Sequence, residues 1–332
     1  MDRKPDINQL YKVLRREQPD RPTLFELFLN KKLYEHLAGE KEPSWSTAAH
    51  TRFVLKAFAA AGYDYATSAA SQFWFPTKKH SREQTISLND GAPITDRESF
   101  DAYVWPEVAD FACDALAVAD DMPDGMKIMV MGPGGVLENT ISLMGYDNLC
   151  IALYDDPLLV SDVFENVGTR MLAYYAKALE YKTVGVVMSN DDWGFNTQTM
   201  LPPAQLRQYV FPWHKKIVEL AHAHGLPAIL HSCGYFGEVM DDVVAMGFSG
   251  KHSYEDNILP VEESYQKWHD RIAILGGIDL DYVVTKAPEA VYARSKAMLD
   301  LGRTGYALGT GNSVPEYVPF ENYFAMTKAA LE

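Results

Sequence analysis

The chain has 332 residues, 47% of them apolar and 23% charged, and a formal net charge of −15. It is long for one ordinary domain but normal for one α/β barrel. The acidic balance excludes classes: a nucleic-acid binder needs a dense Lys/Arg surface to displace counterions, and an anionic membrane surface attracts cations. No basic run occurs, so neither partner is expected.

Three cysteines (Cys113, Cys150 and Cys233) are too few, and odd in number, for a disulfide framework. The opening stretch, MDRKPDINQLYKVLRREQPDRP, is polar and charged, unlike a signal peptide. No apolar run approaches the roughly 18 residues of a membrane span. The expected location is the cytoplasm.

Short β-rich apolar runs recur, each followed by a polar or glycine-rich turn and an amphipathic stretch. That alternation predicts parallel strands with helical crossovers. The first expected strand is Pro22–Phe28 (PTLFELF), and the second is about Tyr63–Ala69. Ser71–Ala109 reads as an insertion after it, and its Phe73-Trp74-Phe75-Pro76 run suits a hairpin or a lid over the barrel mouth. The third strand is Lys127–Met131, followed by Gly-Pro-Gly-Gly. A helix is predicted over Asp155–Tyr181, then a fourth strand at Val184–Ser189. Pro203–His224 opens with prolines, good first-turn residues, and reads as a helix. The later strands are Pro227–His231, Phe248–His252, Ile272–Leu275 and Gly305–Leu308. The helix at Pro288–Leu301 starts with proline and stops before Gly302. Eight strands predict a single-domain (β/α)8 TIM barrel over residues 1–332, with an open doubly wound sheet as the runner-up.

In such barrels chemistry sits in the loops after the strands. Glu26 lies inside the first apolar run, where a lone carboxylate is costly unless paired. Gly134, in the turn after the third strand, lets backbone approach a ligand, although the turn is neither G-x-G-x-x-G nor a P-loop. Asp191 and Asp192 follow the fourth strand as a general base, a metal ligand or a helix cap. His231 and Cys233 end the fifth. Residues i and i+2 of a strand point to one side, so both can face one ion. Imidazole plus thiolate suits zinc, whose catalytic sites take three protein ligands and leave one position open. The plainer alternative is a hydrogen-bonded histidine beside an inert buried thiol. His252, Glu255 and Asp256 after the sixth strand, Asp279 after the seventh and Asn312 after the eighth complete the candidates, with Lys251 a neutralising cation.

From Asp191 to Leu331 the segments DDWGFNTQTM, LPAILHSCG, KHSYEDNILPVEE, ILGGID and LGTGNSVPEYVPFENYFAM resemble the uroporphyrinogen decarboxylase superfamily, in its cobalamin-linked methyltransferase branch. The resemblance implies the same barrel. It argues against porphyrinogen decarboxylation itself: the arginine-rich substrate grip is missing from ELFLNKKLYEHLAG, and Gly311-Asn312-Ser313 replaces Gly-His-Gly. The branch binds zinc through His-x-Cys and a later cysteine. His231 and Cys233 match the first two, and the third falls on Asn312. The resemblance leaves two readings: His252, Glu255, Asp192 or Glu26 completes the set, or the metal has been lost. It implies a zinc-dependent methyltransferase moving a methyl group between a small methyl ether, alcohol or thiol and a corrinoid, carried as cofactor or on a partner protein. Glu26, Asp191, Asp192, His252, Glu255 and Asp279 are then the candidate catalytic groups, and Gly134 and Asn312 the candidate cofactor contacts. The Phe73–Phe75 run would pack a substrate ring or the corrinoid. A harder ligand set leans toward an oxygen substrate. Alternatives on the same barrel are a metal-free decarboxylase (a lyase) of a small carboxylated compound, and a non-catalytic corrinoid- or tetrapyrrole-binding protein. Barrels of this kind often pair, so a homodimer is a candidate assembly.

Overall fold

Apolar runs bounded by turn residues become seven parallel strands in the computed structural model, which describes residues 3–45, 47–77 and 88–332. They are β1 (Tyr65–Ala69), β2 (Lys127–Met131), β3 (Val184–Asn190), β4 (Ala228–His231), β5 (Gly250–His252), β6 (Ala273–Leu275) and β7 (Tyr306–Ala307). Their order in the sheet is their order in the chain. They are buried along nearly their whole length, as in a parallel sheet covered by helices on its faces.

Pro22–Phe28 departs from expectation, because it forms no ladder strand. Leu24 makes a single parallel bridge to Leu308. There Phe25 N–H donates to the Leu308 carbonyl at 2.7 Å, and Leu308 N–H to Thr23 at 2.8 Å. On the other side the Tyr65 hydroxyl takes both backbone groups of Glu26, 2.8 Å from its nitrogen and 2.7 Å from its oxygen. Those are groups that a ladder with β1 would need. A side chain therefore replaces backbone pairing between this segment and β1.

The helices follow their punctuation. Asp156 caps Pro157–Ala178 by accepting from Leu159 N–H, with proline in the first turn. This helix buries Leu159, Val160, Val163, Phe164, Val167 and Met171, each such burial stabilising by about 1.5–3 kcal/mol. The stretch expected as one helix at Pro203–His224 is interrupted. A wide turn at Leu206–Val210 separates Pro203–Gln205 from Phe211–Ala223, and Phe211 N–H reaches back to Leu206. Pro212 has no N–H to donate, and such a π-turn absorbs the mismatch.

The aromatic run of the insertion belongs to the core. Phe73 and Phe75 are buried edge-to-face on one another, and Phe73 also meets Phe111; only Trp74 is exposed. Phe73 and Phe75 therefore pack against protein rather than against a substrate ring or corrinoid. No hairpin forms among the described residues 71–77 and 88–109, where the one α-helix is Arg97–Ala102. The expected lid includes residues 78–87, outside the described residues. No described helix is long and apolar enough to cross a membrane.

Candidate metal centre

Strand register assembles the site. Asn190, His231 and His252 are consecutive partners across β3, β4 and β5. In-register residues of a parallel sheet point the same way, so the two imidazoles meet, Nδ1 to Nδ1, at 2.9 Å. Backbone pairing continues past the strand ends: Asp191 N–H donates to His231 at 2.9 Å and Ser232 N–H to His252 at 2.8 Å. Cys233 then returns its Sγ to 3.5 Å from His231 Nε2, and its N–H donates to Asp192 Oδ1 at 2.7 Å. The loops after β3 and β4 touch through glycines. A Cβ on Gly234, whose φ is +77°, would stand 2.0 Å from the Gly194 oxygen.

Ligand atoms of Asp192, His231 and Cys233 thereby lie within 4.8 Å of one another. Zn–S and Zn–N bonds of about 2.3 and 2.0 Å at a tetrahedral angle put sulfur and nitrogen about 3.5 Å apart, which matches the Sγ–Nε2 separation. The donor set fits a divalent ion in charge as well: thiolate plus carboxylate neutralise it, and the imidazole is neutral.

Burial governs the local electrostatics. It pushes the Cys233 thiol up to about 12, with Asp192 adding to the effect. It pushes His231 down. It pulls Lys251 down to about 7. The Lys251 ammonium donates to the Ser232 carbonyl at 3.1 Å and to the Ser253 carbonyl, and it lies 3.6 Å from the centre of the Phe236 ring. Its hydrogen bonds thus go to backbone carbonyls, and it meets the Asp192 and Glu255 carboxylates only through space. Asn312 approaches as a donor: its Oδ1 accepts from Ser313 N–H at 2.8 Å, and its Nδ2 lies 3.1 Å from Cys233 Sγ.

The remaining sequence candidates divide. Asp191, adjacent to Asp192, turns away and is fully buried. It accepts from Leu137 and Glu138 N–H at 2.9 and 3.0 Å, and lies 2.8 Å from His214 Nε2. It anchors the start of the Val136–Met144 helix. The close approach permitted by the glycine-rich turn is made by this internal carboxylate: a Cβ on Gly135 would stand 2.0 Å from Asp191 Oδ1, while Gly134 supplies a φ of +84°. Glu26 is buried against Thr310, and burial raises it to about 8. His252 stands behind His231. Glu255 and Asp279 line an adjoining cleft of about 480 Å³ that also reaches Asn312. Asp279 caps the following helix through Tyr282 N–H at 3.1 Å.

Two participants were not among the sequence candidates. Glu138 accepts from Gly135 N–H at 2.8 Å, and burial together with Asp191 and Asp192 raises its carboxyl. Thr310 links Glu26 to the Asn312 loop. Glu138 sits in a helical first turn, where an acid is ordinary, and Thr310 in a glycine-rich turn, so neither carried a signal.

The family model described as Uroporphyrinogen decarboxylase (URO-D) matches residues 84–332. A methylcobamide:CoM methyltransferase, MtaA, from Methanosarcina barkeri is 24% identical over 176 residues, 52% of this chain and 50% of that protein. The chain therefore aligns with about half the length of this curated relative. A solved structure of a methyltransferase from Methanosarcina mazei superposes with a TM-score of 0.69 at 15% identity, covering 97% of each chain, and shows the shared fold.

Proposed function

The chain belongs to the uroporphyrinogen decarboxylase family, and from that premise we propose that it is a zinc-dependent methyltransferase moving a methyl group between a small substrate and the corrinoid of a partner protein. The observation that carries the reading is the convergence of Asp192, His231 and Cys233 at the ends of β3 and β4. The name of the Methanosarcina barkeri relative supports the corrinoid half. We also propose that Pro22–Phe28 acts as the eighth stave of a closed (β/α)8 barrel. Its bridge to Leu308 and the superposition on the Methanosarcina mazei methyltransferase support this.

His231, Cys233 and Asp192 would hold the zinc. Bound there, it supplies Lewis acidity, lowering the pKa of a thiol or polarising the oxygen of an ether or alcohol. The chain's own groups do the rest. Cys233 N–H orients Asp192, and Asn312 and Ser253 donate toward Sγ, damping its charge. A carboxylate in the third position makes the set harder than two thiolates and one imidazole, and favours an oxygen substrate over a thiol. The cleft beside Asn312, lined by Glu255, Asp279, Asp281 and Lys286, gives a small molecule access from the solvent side.

The test is metal content of purified protein, wild type beside Cys233→Ala and His231→Ala. About one zinc per chain, lost in both variants, is expected. Absence of stoichiometric metal after growth in ample zinc overturns the zinc centre. Methyl transfer that runs without any corrinoid overturns the partner half.

A further inference from the structure

A metal-ligating histidine must present a bare lone pair, and which nitrogen is bare depends on the hydrogen bond made by the other. Here the assignment can be followed from an atom that can only accept. The Thr310 carbonyl lies 3.3 Å from His252 Nε2 and also takes Gly277 N–H at 2.9 Å. His252 Nε2 therefore carries a hydrogen. The ring is fully buried, and among the described residues no carboxylate hydrogen-bonds to it. A buried imidazole without an anion stays neutral, so its Nδ1 is bare. That bare Nδ1 lies 2.9 Å from Nδ1 of His231. Two nitrogens at that distance need one hydrogen between them, which His231 must supply. His231 Nε2 is then bare, and it is this atom that faces Cys233 Sγ at 3.5 Å.

The origin of the chain is itself pinned. Thr310 N–H donates to Glu26 Oε1 at 2.7 Å, and Thr310 Oγ1 lies 2.7 Å from both Glu26 Oε2 and the Asn312 carbonyl. A hydroxyl has one hydrogen, and the carbonyl has none to offer. Thr310 therefore donates to Asn312 and accepts from Glu26, whose carboxyl carries the proton. Its upward shift on burial agrees. Gly276 leaves the space for this link: a Cβ there would stand 2.4 Å from the Thr310 oxygen and 2.9 Å from the His252 ring.

We infer that His252 is a positioning residue that fixes His231 as the Nδ1–H tautomer, with Thr310, itself held by a protonated Glu26, setting the direction of the chain. The inference rests on the zinc-centre reading only for what the bare Nε2 meets.

Two readouts test it. Long-range ¹⁵N–¹H NMR of histidine-labelled, metal-free wild type reads the tautomers directly: Nδ1–H at His231 and Nε2–H at His252 are expected. The Nε2–H form at His231 overturns the inference, whether or not the protein binds zinc. Zinc affinity by chelator competition then compares His252→Asn, which keeps an acceptor near the Nδ1 position, with His252→Leu, which removes it. Both lose the ring and the Thr310 link, so a merely structural role predicts equal loss. The tautomer role predicts a loss of about 10–100-fold for leucine and only a few-fold for asparagine. Equal loss in both overturns it. Failure of the wild type to take up zinc removes the metal-centre reading and leaves the NMR result to decide the tautomer.

Discussion

Two acid-rich regions sit side by side at the C-terminal ends of the strands, and they handle their charge in opposite ways. In the cleft after β5 and β6, Asp256 and Asp279 are answered. Arg294 grips both oxygens of Asp256 at 2.6 and 2.8 Å and both of Glu262 at 2.8 and 2.9 Å. Asp279 takes the N–H groups of Asp256 and Tyr282. At the ends of β3 and β4 the donor atoms of Asp192, His231 and Cys233 face one another instead. Among the described residues no basic side chain forms an ion pair with Asp192, and Lys251 turns to backbone carbonyls. A count of acids would mark both regions. Among the described residues, convergence of three potential ligand atoms marks only the second.

The sharpest way to break that contrast is to remove one donor from each region. Cys233→Ala or His231→Ala should cost more than about 100-fold in zinc affinity by chelator competition, exceeding the usual loss at a ligand's supporting contacts. Asp256→Asn should leave the affinity unchanged. Affinity in the wild type should also rise with pH, by about tenfold per unit near neutrality. Burial and Asp192 hold the Cys233 thiol at about 12, so zinc must displace its proton, whereas His231, pushed down by burial, has none to lose. A pH-independent affinity, or equal loss in Asp256→Asn, would erase the distinction between the regions.

This contrast was only partly legible in the sequence. The parallel strands could be read because each is a short apolar run with its own turn signal, and the His-x-Cys pair because strand period places i and i+2 on one side. Pro22–Phe28 misled because its pattern is strand-like, while its pairing is decided by Tyr65, a residue of another strand. Asp191 and Asp192 could not be told apart by type. Their fates follow from a backbone turn that sends one carboxylate to the helix starting at Val136 and the other to Cys233 N–H. Nor does any spacing relate Glu26 to Thr310, 284 residues away.

The Asp191/Asp192 pair gives the next test, now by stability. Asp191→Ala strips two buried N–H groups and His214 of their acceptor. A loss of about 3 kcal/mol is expected in urea unfolding, since each buried donor left without an acceptor costs about 1–3 kcal/mol. Zinc affinity should hold within a few-fold. A large affinity loss at native stability would put Asp191 in the metal centre beside its neighbour.

Glu26→Gln probes a carboxyl read as neutral. Glu26 is raised by burial to about 8 in the folded chain, from an ordinary value of 4.5. A raised acid stabilises fully below its unfolded value, and that contribution fades as pH climbs through the folded one. Wild type should therefore lose stability relative to Glu26→Gln between about pH 4.5 and 8, by something on the order of 5 kcal/mol. Glutamine keeps a donor toward Thr310 Oγ1 and an acceptor for its N–H. Parallel stability curves for the two proteins across that range would mean that Glu26 is ionised and takes the Thr310 hydroxyl hydrogen away from the Asn312 carbonyl, while the Thr310 carbonyl would still accept from His252.

Arg294→Met is the mildest and bears on the cleft alone. Arg294 is mostly shielded, but Asp256 and Glu262 each keep about a third of their side-chain surface in water. When the guanidinium is removed, both carboxylates can turn to solvent, and the methionine stem still covers the apolar surface beneath. The expected cost is about 1 kcal/mol, the upper end for exposed pairs, with zinc affinity unaltered. A cost near 3 kcal/mol would mean that the cleft holds its acids as a buried network. The two regions would then differ in which cation they hold, a fixed arginine in one and an exchangeable metal in the other, rather than in how far each is shut off from water.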